Sequence, residues 1–423
     1  MILMKKTHLL LPLLALVFVL PSCTPQDQFD PSDVKYYVEE LATWDFTVGE
    51  GLNTLLNYVG MDPSDPTLAK ITGYLKKSLD KRLRAVAISY HTVDPFGKPV
   101  VASGAFFYPL DSKPAGVMEV PPIAHMDRFH GASISVSNKS FFEECTPALL
   151  SYITLTPDMI GSNLTGDYLR AYLHSKNTGE VCYHFRLAVN EYLRLNSDIR
   201  MPEESSIIGY SLGGSSALSI ARYYKENHTG IKVKDVYTGG GVYDAVTAFR
   251  EYAKWGKCNY PAIPCVIISM DKYYNLGLDY TKIFTGGMER PENNPDASQN
   301  GDGYGYWFDN THKSQRIAER WGSDLHAYMH PDFFNEELTG EFAKLKDCLM
   351  ENSEVYGFEP NPLTNIKLFH STEDNLIPNE CAVLLNKVYR ANGAAISYTP
   401  TTGDHYEAGA RFLVTVLAYL LLN

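Results

Sequence analysis

The residues with the strongest chemical pattern surround one serine. Gly209-Tyr210-Ser211-Leu212-Gly213 matches G-x-S-x-G, with an apolar stretch before it and small residues after it. In this pattern the chain turns sharply from a strand into a helix, and the two glycines avoid steric collisions. The start of the helix favours the negative charge that develops when the hydroxyl attacks a carbonyl. We therefore predict that Ser211 is a nucleophile; a serine in an ordinary glycine-rich turn is the alternative.

The acid and the base that Ser211 needs are expected in loops downstream of it. A serine hydroxyl becomes reactive when a histidine removes its proton and a buried carboxylate orients that histidine. Where the serine lies on a strand-to-helix turn, the acid and then the histidine follow it along the chain. Asp374 and His405 fit this order, with Glu373 as the competing acid. His370 precedes the acid, so we expect a structural role for it.

Two backbone N–H groups are expected to bind the oxyanion that forms during attack. The first is that of Leu212, directly after the nucleophile. The second should come from the loop that follows a predicted strand at residues 120–125. There we predict the N–H of Met126 or of Asp127 as the donor.

Eight predicted strands position these loops. Strand-like segments lie at residues 84–92, 98–108, 120–125, 152–157, 205–210, 234–239, 366–370 and 395–400. Helical segments lie at residues 36–58, 66–79, 179–195, 213–225, 378–391 and 412–422. The turn 94–97 joins the first two strands and predicts an antiparallel hairpin, whereas later strands alternate with helices. The alternation predicts an α/β fold with a mostly parallel eight-stranded sheet and helices on both faces.

One long segment interrupts this alternation. Residues 243–362 contain helical pieces separated by loops rich in Gly, Asn and Pro, and many aromatic residues. We predict that they form an inserted helical cap, which separates a first core part (35–242) from a second (363–423). Asp296–Gly303 resembles a calcium loop, but Trp307 occupies the twelfth position where glutamate is expected, so we predict an ordinary loop.

The first residues have the pattern of an export signal. Lys5 and Lys6 precede an apolar run at residues 9–20, which is too short to span a bilayer, and Cys23 follows small residues. We predict a signal peptide at residues 1–22 and lipid attachment at Cys23; a plain secretion signal is the alternative. Residues 23–34 are then a flexible tether. Accordingly, we expect an exported protein, anchored to a bacterial cell envelope membrane.

Composition excludes several classes of partner and cofactor. The 37 Lys and Arg against 49 Asp and Glu give a net charge of −12, and no basic cluster suggests a nucleic-acid surface. There is no CxxC motif and no paired spacing of metal ligands, so we predict no metal and no other cofactor. The cysteines beyond Cys23 are even in number, which permits disulfides without choosing their pairing: Cys145, Cys182, Cys258, Cys265, Cys348 and Cys381.

Several segments resemble the secretory-lipase branch of the α/β-hydrolases, best known from yeast-type lipases. The hairpin residues 88–90 and 97–99, the segment 145–148 and the loop Pro157-Asp158-Met159-Ile160-Gly161 are similar to that family's motifs, and the Ser211, Asp374 and His405 loops have its order. The resemblance spans about residue 83 to the end, with the cap poorly matched. Met126 and Ala148 depart from it, since many hydrolases have glycine and these lipases have serine there. The resemblance implies the α/β-hydrolase fold and ester hydrolysis beneath a helical cap.

Three hypotheses for the function follow. The leading one is cleavage of small-molecule, lipid or glycan carboxylic esters through an acyl-enzyme. The second is a serine peptidase of the same fold, since amides and esters share the tetrahedral intermediate. The third is an inactive surface-binding lipoprotein, against which the presence of all three side chains argues.

Overall fold

A nine-stranded sheet organises the part of the chain that the structure describes. This structure is a computed structural model, and it describes residues 31–60, 62, 64–125, 128–140, 143–285 and 322–422. Its strands are β1 (Tyr37–Thr47), β2 (Arg82–Val93), β3 (Pro99–Pro109), β4 (Val117–Glu119), β5 (Ile153–Pro157), β6 (Glu204–Tyr210), β7 (Lys232–Gly239), β8 (Asn365–Ser371) and β9 (Ile396–Thr401). Their order in the sheet is β1-β2-β3-β5-β4-β6-β7-β8-β9. The pairs β1–β2, β2–β3 and β3–β5 are antiparallel, and all pairs from β5 to β9 are parallel.

Helices cover both faces of this sheet. They are α1 (Val48–Val59), α2 (Pro66–Leu75), α3 (Ala132–Ser137), α4 (Ser175–Asn196), α5 (Leu212–Glu226), α6 (Ala245–Trp255), α7 (Ala262–Tyr274), α8 (Lys346–Glu351), α9 (Asn379–Ala391) and α10 (His405–Leu422). Alternate residues of β2 enter two separate cores: Val86 and Ile88 pack with α4 and α5, whereas Ala85 and Ala87 pack with α1, α2 and α10. The predicted mostly parallel α/β architecture with helices on both faces is confirmed.

The prediction of one helix at residues 36–58 is wrong in its first half. Residues Tyr37–Thr47 form β1, and α1 begins only after Thr47. Thr47 and Glu50 form a capping box, in which each side chain accepts the backbone N–H of the other residue. Aromatic and β-branched residues favour the strand, and antiparallel pairing with β2 supplies the hydrogen bonds that a helix would otherwise have made. β1 is therefore the ninth strand, one more than the sequence predicts.

The strand predicted at residues 120–125 lies elsewhere. β4 covers only Val117–Glu119, between β5 and β6, and residues 120–125 form the loop that follows it. Pro121 and Pro122 have no N–H, so they cannot continue the ladder of hydrogen bonds. Ile123 and Ala124 of this stretch instead line the cavity described below.

The connection between β7 and β8 contains the predicted cap, residues 243–362. Its described part contains α6, α7, α8 and short 3-10 turns. The calcium-like stretch Asp296–Gly303 and Trp307 lie outside the described residues, as do residues 1–30 with the predicted signal peptide and Cys23. Within the described residues, no helix is long and apolar enough to cross a membrane.

The cysteines that could have formed disulfides are all free thiols. Five are buried and Cys265 is partly exposed: Cys145, Cys182, Cys258, Cys265, Cys348 and Cys381. Burial raises the pKa of the Cys258 thiol to about 11, so it stays protonated and behaves as a small apolar side chain.

Candidate active site

Ser211 lies at the sharp turn that the sequence predicts. β6 ends at Tyr210 and α5 begins at Leu212, and Ser211 between them has φ 57° and ψ −127°. This left-handed backbone is strained for a residue with a side chain and persists only where the surroundings enforce it. A Cβ at position 209 would lie 1.9 Å from the Gly213 carbonyl oxygen, so only glycine fits there. The turn therefore presents the Ser211 hydroxyl at the carboxyl edge of the sheet.

The structure brings Ser211, His405 and Asp374 together, although they are far apart in sequence. The His405 Nε2 atom lies 3.0 Å from Ser211 Oγ, and His405 Nδ1 lies 2.8 Å from Asp374 Oδ2. An ionised carboxylate only accepts hydrogen bonds, so His405 Nδ1 donates its proton to Asp374. In the neutral ring Nε2 is then unprotonated and can accept the proton of the serine hydroxyl. Hydrogen bonds therefore connect the three side chains in the order that base catalysis requires.

Asp374 is held as a charged group inside the protein. Its side chain is fully buried, and Oδ1 accepts the N–H groups of Leu376 and Ile377 at 2.9 and 2.8 Å. Burial alone would raise the pKa of Asp374, but the hydrogen bonds from His405 and from the Ile377 N–H outweigh it and lower the pKa below its usual value. The competing acid, Glu373, instead accepts the N–H of Gly403 at 2.7 Å.

His370 lies beside the acid, a contact that the sequence does not indicate. Its Nε2 atom is 3.1 Å from the Ile377 carbonyl oxygen and 3.5 Å from Asp374 Oδ2. Burial lowers the pKa of His370, although Asp374 opposes this shift, so the ring is neutral. Its other nitrogen, Nδ1, has no hydrogen-bond partner among the described residues. The predicted structural role therefore includes support of the acid loop.

The expected oxyanion donors are only partly described. The Leu212 N–H begins α5 and has no acceptor within the helix, so it is available to a negative charge near Ser211. Met126 and Asp127, the candidates for the second donor, lie outside the described residues. Ala124, shortly before them, lines the cavity next to Ser211.

A buried carboxylate that the sequence analysis missed supports this loop. Glu144 is 7% exposed, and its Oε1 accepts the N–H of Ile123 at 3.3 Å. The carbonyl of Ala124 accepts a hydrogen bond from the cap residue Tyr260 at 3.4 Å. Both contacts join residues far apart in the chain, and no local motif marks them. The loop is thus held by a hydrogen bond to Glu144 and by another from Tyr260 of the β7–β8 connection.

An apolar cavity of about 350 Å³ opens at Ser211. Besides Ser211 and His405, the lining side chains that contain a polar atom are all tyrosines among the described residues, and no Asp, Glu, Lys or Arg side chain lines it there. Residues of the β7–β8 connection, where the cap is predicted, supply much of the wall, including Phe249, Tyr252, Tyr260, Ala262, Ile263 and Val266. Such a site fits an uncharged apolar group adjacent to the reacting carbonyl.

Comparison with known proteins yields structural neighbours only. No protein-family model and no curated protein matches the sequence. A provisional hydrolase of Legionella pneumophila superposes with a TM-score of 0.72 at 18% identity, over 92% of this chain and 98% of that one. The rice cell wall degrading esterase LipA of Xanthomonas oryzae superposes with a TM-score of 0.69 at 17% identity, over 90% and 96% of the two chains.

A third neighbour carries the name of a lipase. Candida antarctica lipase A in its closed state superposes with a TM-score of 0.54 at 12% identity, over 89% of this chain and 82% of that one. At these identities the comparison shows the fold and not the activity. The comparison agrees with the strand order, the helices on both faces and the strand-to-helix turn at Ser211. These observations together show that this chain has the α/β-hydrolase fold.

Proposed function

We propose that this protein is a serine hydrolase that cleaves carboxylic esters with an apolar acyl group through an acyl-enzyme. The observation that carries the proposal is a pair of hydrogen bonds that connects the three side chains. Ser211 Oγ lies 3.0 Å from His405 Nε2, and His405 Nδ1 lies 2.8 Å from Asp374 Oδ2. It lies at the wall of an apolar cavity beneath the cap. We assign Ser211 as the nucleophile, His405 as the base and Asp374 as the group that orients it.

The reaction proceeds in two halves. Ser211 Oγ attacks the ester carbonyl while His405 Nε2 takes the hydroxyl proton, and Asp374 stabilises the resulting imidazolium. The Leu212 N–H and a donor from the loop after β4, for which we retain Met126, bind the oxyanion. His405 then protonates the departing alkoxide, leaving the acyl group on Ser211. A water molecule gives a proton to His405 Nε2 and attacks the acyl carbonyl; the bond between the acyl carbon and Ser211 Oγ then breaks, and His405 returns the proton to Oγ, which releases the acid and restores the Ser211 hydroxyl. Neither half requires a cofactor.

The cavity favours esters over peptides. A peptidase that recognises a chain terminus needs a charged partner in its pocket, and the described lining offers no acidic or cationic side chain except the histidine that serves as base. Two of the neighbours are described as an esterase and a lipase, which supports the same choice. The alcohol portion of the substrate could belong to a small molecule, a lipid or a glycan.

A substrate panel tests the choice between ester and peptide. For p-nitrophenyl butyrate we expect kcat/KM at least about 100-fold higher than for p-nitrophenyl succinate, because a buried carboxylate without a partner is costly to desolvate. The aminoacyl p-nitroanilides, which carry a positive charge, should be hydrolysed still more slowly. The measurement is kcat/KM at constant pH for the three substrate classes.

The same panel can overturn the proposal. Higher kcat/KM for the anilides than for butyrate would favour the serine peptidase. Failure of a fluorophosphonate probe to label the folded protein at Ser211 would favour the inactive surface-binding lipoprotein. Labelling together with ester turnover would exclude that third hypothesis.

We also propose that the protein is exported and attached to a bacterial envelope membrane through lipid on Cys23. The basic residues, the short apolar run and the small residues before Cys23 support this assignment. Substituting Cys23→Ala is expected to move the protein from the membrane fraction to the soluble fraction and to abolish labelling by an alkyne-tagged palmitate. Unchanged membrane recovery and unchanged labelling would contradict lipid attachment at this residue.

A further inference from the structure

We propose that Tyr210, the residue directly before the nucleophile, is a positioning residue that holds the base at its working distance. The inference rests on the proposed function, since it concerns the pair Ser211 and His405. Nothing in the G-x-S-x-G pattern specifies the residue at this position, so the sequence predicts no role for it. Three observations carry the argument: a hydrogen bond, a ring contact and the absence of a side chain at two glycines beside the Tyr210 ring.

The first contact is a hydrogen bond to the backbone of the base. The Tyr210 hydroxyl donates to the carbonyl oxygen of His405 at 2.6 Å. His405 is the first residue of α10, so this bond joins the end of β6 to the first turn of the helix that carries the base. Tyr210 is also the residue directly before Ser211 in the chain, so a peptide bond joins the two. Tyr210 therefore connects the backbone of the nucleophile to the backbone of the base through one side chain.

The second contact is ring packing. The ring centroids of Tyr210 and His405 are 5.0 Å apart with an angle of 38° between the planes, and Phe412 packs on Tyr210 at 5.4 Å. The phenol thus supports the imidazole as well as the backbone behind it. A hydrogen bond at Asp374 fixes one edge of the imidazole, and the Tyr210 ring limits its tilt.

The third observation is that two glycines leave room for the phenol. A Cβ at position 409, one turn after His405 in α10, would lie 2.8 Å from Tyr210 Cε1. A Cβ at position 240, after the end of β7, would lie 2.8 Å from Tyr210 Cζ, and Gly240 also has φ +55°. Side chains at these two positions would push the ring from its place. Two glycines from separate parts of the chain therefore leave space for one tyrosine ring.

Small displacements of the base have large chemical effects. Proton transfer requires the nucleophile and the base within hydrogen-bond distance, and a shift of about 1 Å can lower the rate about 100-fold. Ser211 and His405 belong to different elements, and in the described structure their side chains meet through one hydrogen bond of 3.0 Å. A link between their backbones is therefore expected to act on the chemical step and not on ester binding.

The test compares Tyr210→Phe with Tyr419→Phe. Tyr419 lies in α10, the helix that carries His405, and is not among the described residues that line the cavity, so its substitution controls for loss of a tyrosine hydroxyl elsewhere in the fold. For Tyr210→Phe we expect the rate of Ser211 labelling by a fluorophosphonate and kcat for p-nitrophenyl butyrate to fall about 10-fold, with KM unchanged. Tyr419→Phe should change neither. The thermal unfolding midpoint of each variant is measured alongside.

The outcomes separate this inference from the proposed function. If the wild-type protein is not labelled at Ser211, the proposed function fails. If the wild-type protein is labelled and Tyr210→Phe is labelled at the same rate, the positioning role is refuted, even when the unfolding midpoint falls. A rise in KM with constant kcat would also refute it, because it would make Tyr210 a residue that only lines the cavity.

A double-mutant cycle tests the glycine at position 409. Gly409→Ala should lower the labelling rate about 10-fold when Tyr210 is present, because the new methyl group displaces the ring. In a Tyr210→Ala background, which is itself expected to be about 100-fold slower, the same substitution should have little further effect. Equal fold-changes in both backgrounds would show that Gly409 and Tyr210 act independently, which would contradict the proposed packing.

Discussion

Replacing Ser211 with alanine is expected to lower kcat for hydrolysis of p-nitrophenyl butyrate by about 10⁵- to 10⁶-fold. The substitution removes the atom that we propose forms the acyl-enzyme but leaves His405, Asp374 and the cavity in place. Residual activity should therefore remain above the rate in water, because the oxyanion donors and the cavity still act. The measurement is steady-state kcat, with intact-protein mass to detect an acyl group on the wild-type chain.

A control from the same helix makes this prediction specific. Ser216 lies in α5 and its hydroxyl donates to the Leu212 carbonyl at 2.9 Å, away from the relay with His405. We expect Ser216→Ala to keep kcat within about threefold of the wild type, since the lost bond is a local back-bond within the helix. Full activity in Ser211→Ala would remove the basis of the proposed mechanism, including the role of Tyr210.

Asp374→Asn should lower kcat by about 10⁴-fold without loss of the fold. The amide can still accept the N–H groups of Leu376 and Ile377, which now bond to Oδ1. It can no longer stabilise an imidazolium by charge, and its NH₂ group favours the tautomer of His405 that cannot accept the serine proton. Glu373→Gln is the matched control, and it should keep kcat within about threefold because the Glu373 carboxylate accepts the N–H of Gly403, which a glutamine side-chain oxygen can also accept. The reverse result would make Glu373 the acid.

The same variant has a predicted effect on stability at acid pH. The pKa of Asp374 is lower in the folded protein than its usual value, despite burial, because of the bonds from His405 and the Ile377 N–H. Its stabilising contribution is therefore complete above the pKa of the unfolded chain, about 3.9, and is lost as pH falls through the lower folded value. Asp374→Asn should weaken the decrease in unfolding free energy below about pH 4. Denaturant unfolding at several pH values measures this slope.

Two tyrosines of the predicted cap donate hydrogen bonds to the loops beside Ser211 and Asp374. Tyr252 of α6 donates to the Leu376 carbonyl at 2.8 Å, and Tyr260 donates to the Ala124 carbonyl. Leu376 is also the residue whose N–H bonds to Asp374. The cap thus contributes to the position of the acid loop in addition to forming the cavity wall.

Local patterns in the sequence determined much of this protein. The glycines around Ser211 predict the sharp turn, because their spacing reports a steric requirement within five consecutive residues. The alternation of strands and helices predicts a mostly parallel sheet, and the chain order then predicts Asp374 and His405 on neighbouring loops. The turn and the alternation are readable because each depends on residues close together in the chain, whereas the order of Ser211, Asp374 and His405 is informative only once this fold is predicted.

The tertiary structure decided what depends on distant residues. β1 forms a strand because β2 pairs with it, although residues 37–47 also satisfy helical spacing. His370 lies beside Asp374, Glu144 supports the loop after β4, and Tyr210 bonds to the His405 backbone across 195 positions of sequence. No periodicity or motif encodes these contacts, because each arises only when the sheet brings separate chain segments to the same edge. The chemistry of the individual side chains was therefore accessible from the sequence, whereas their mutual support depended on the folded chain.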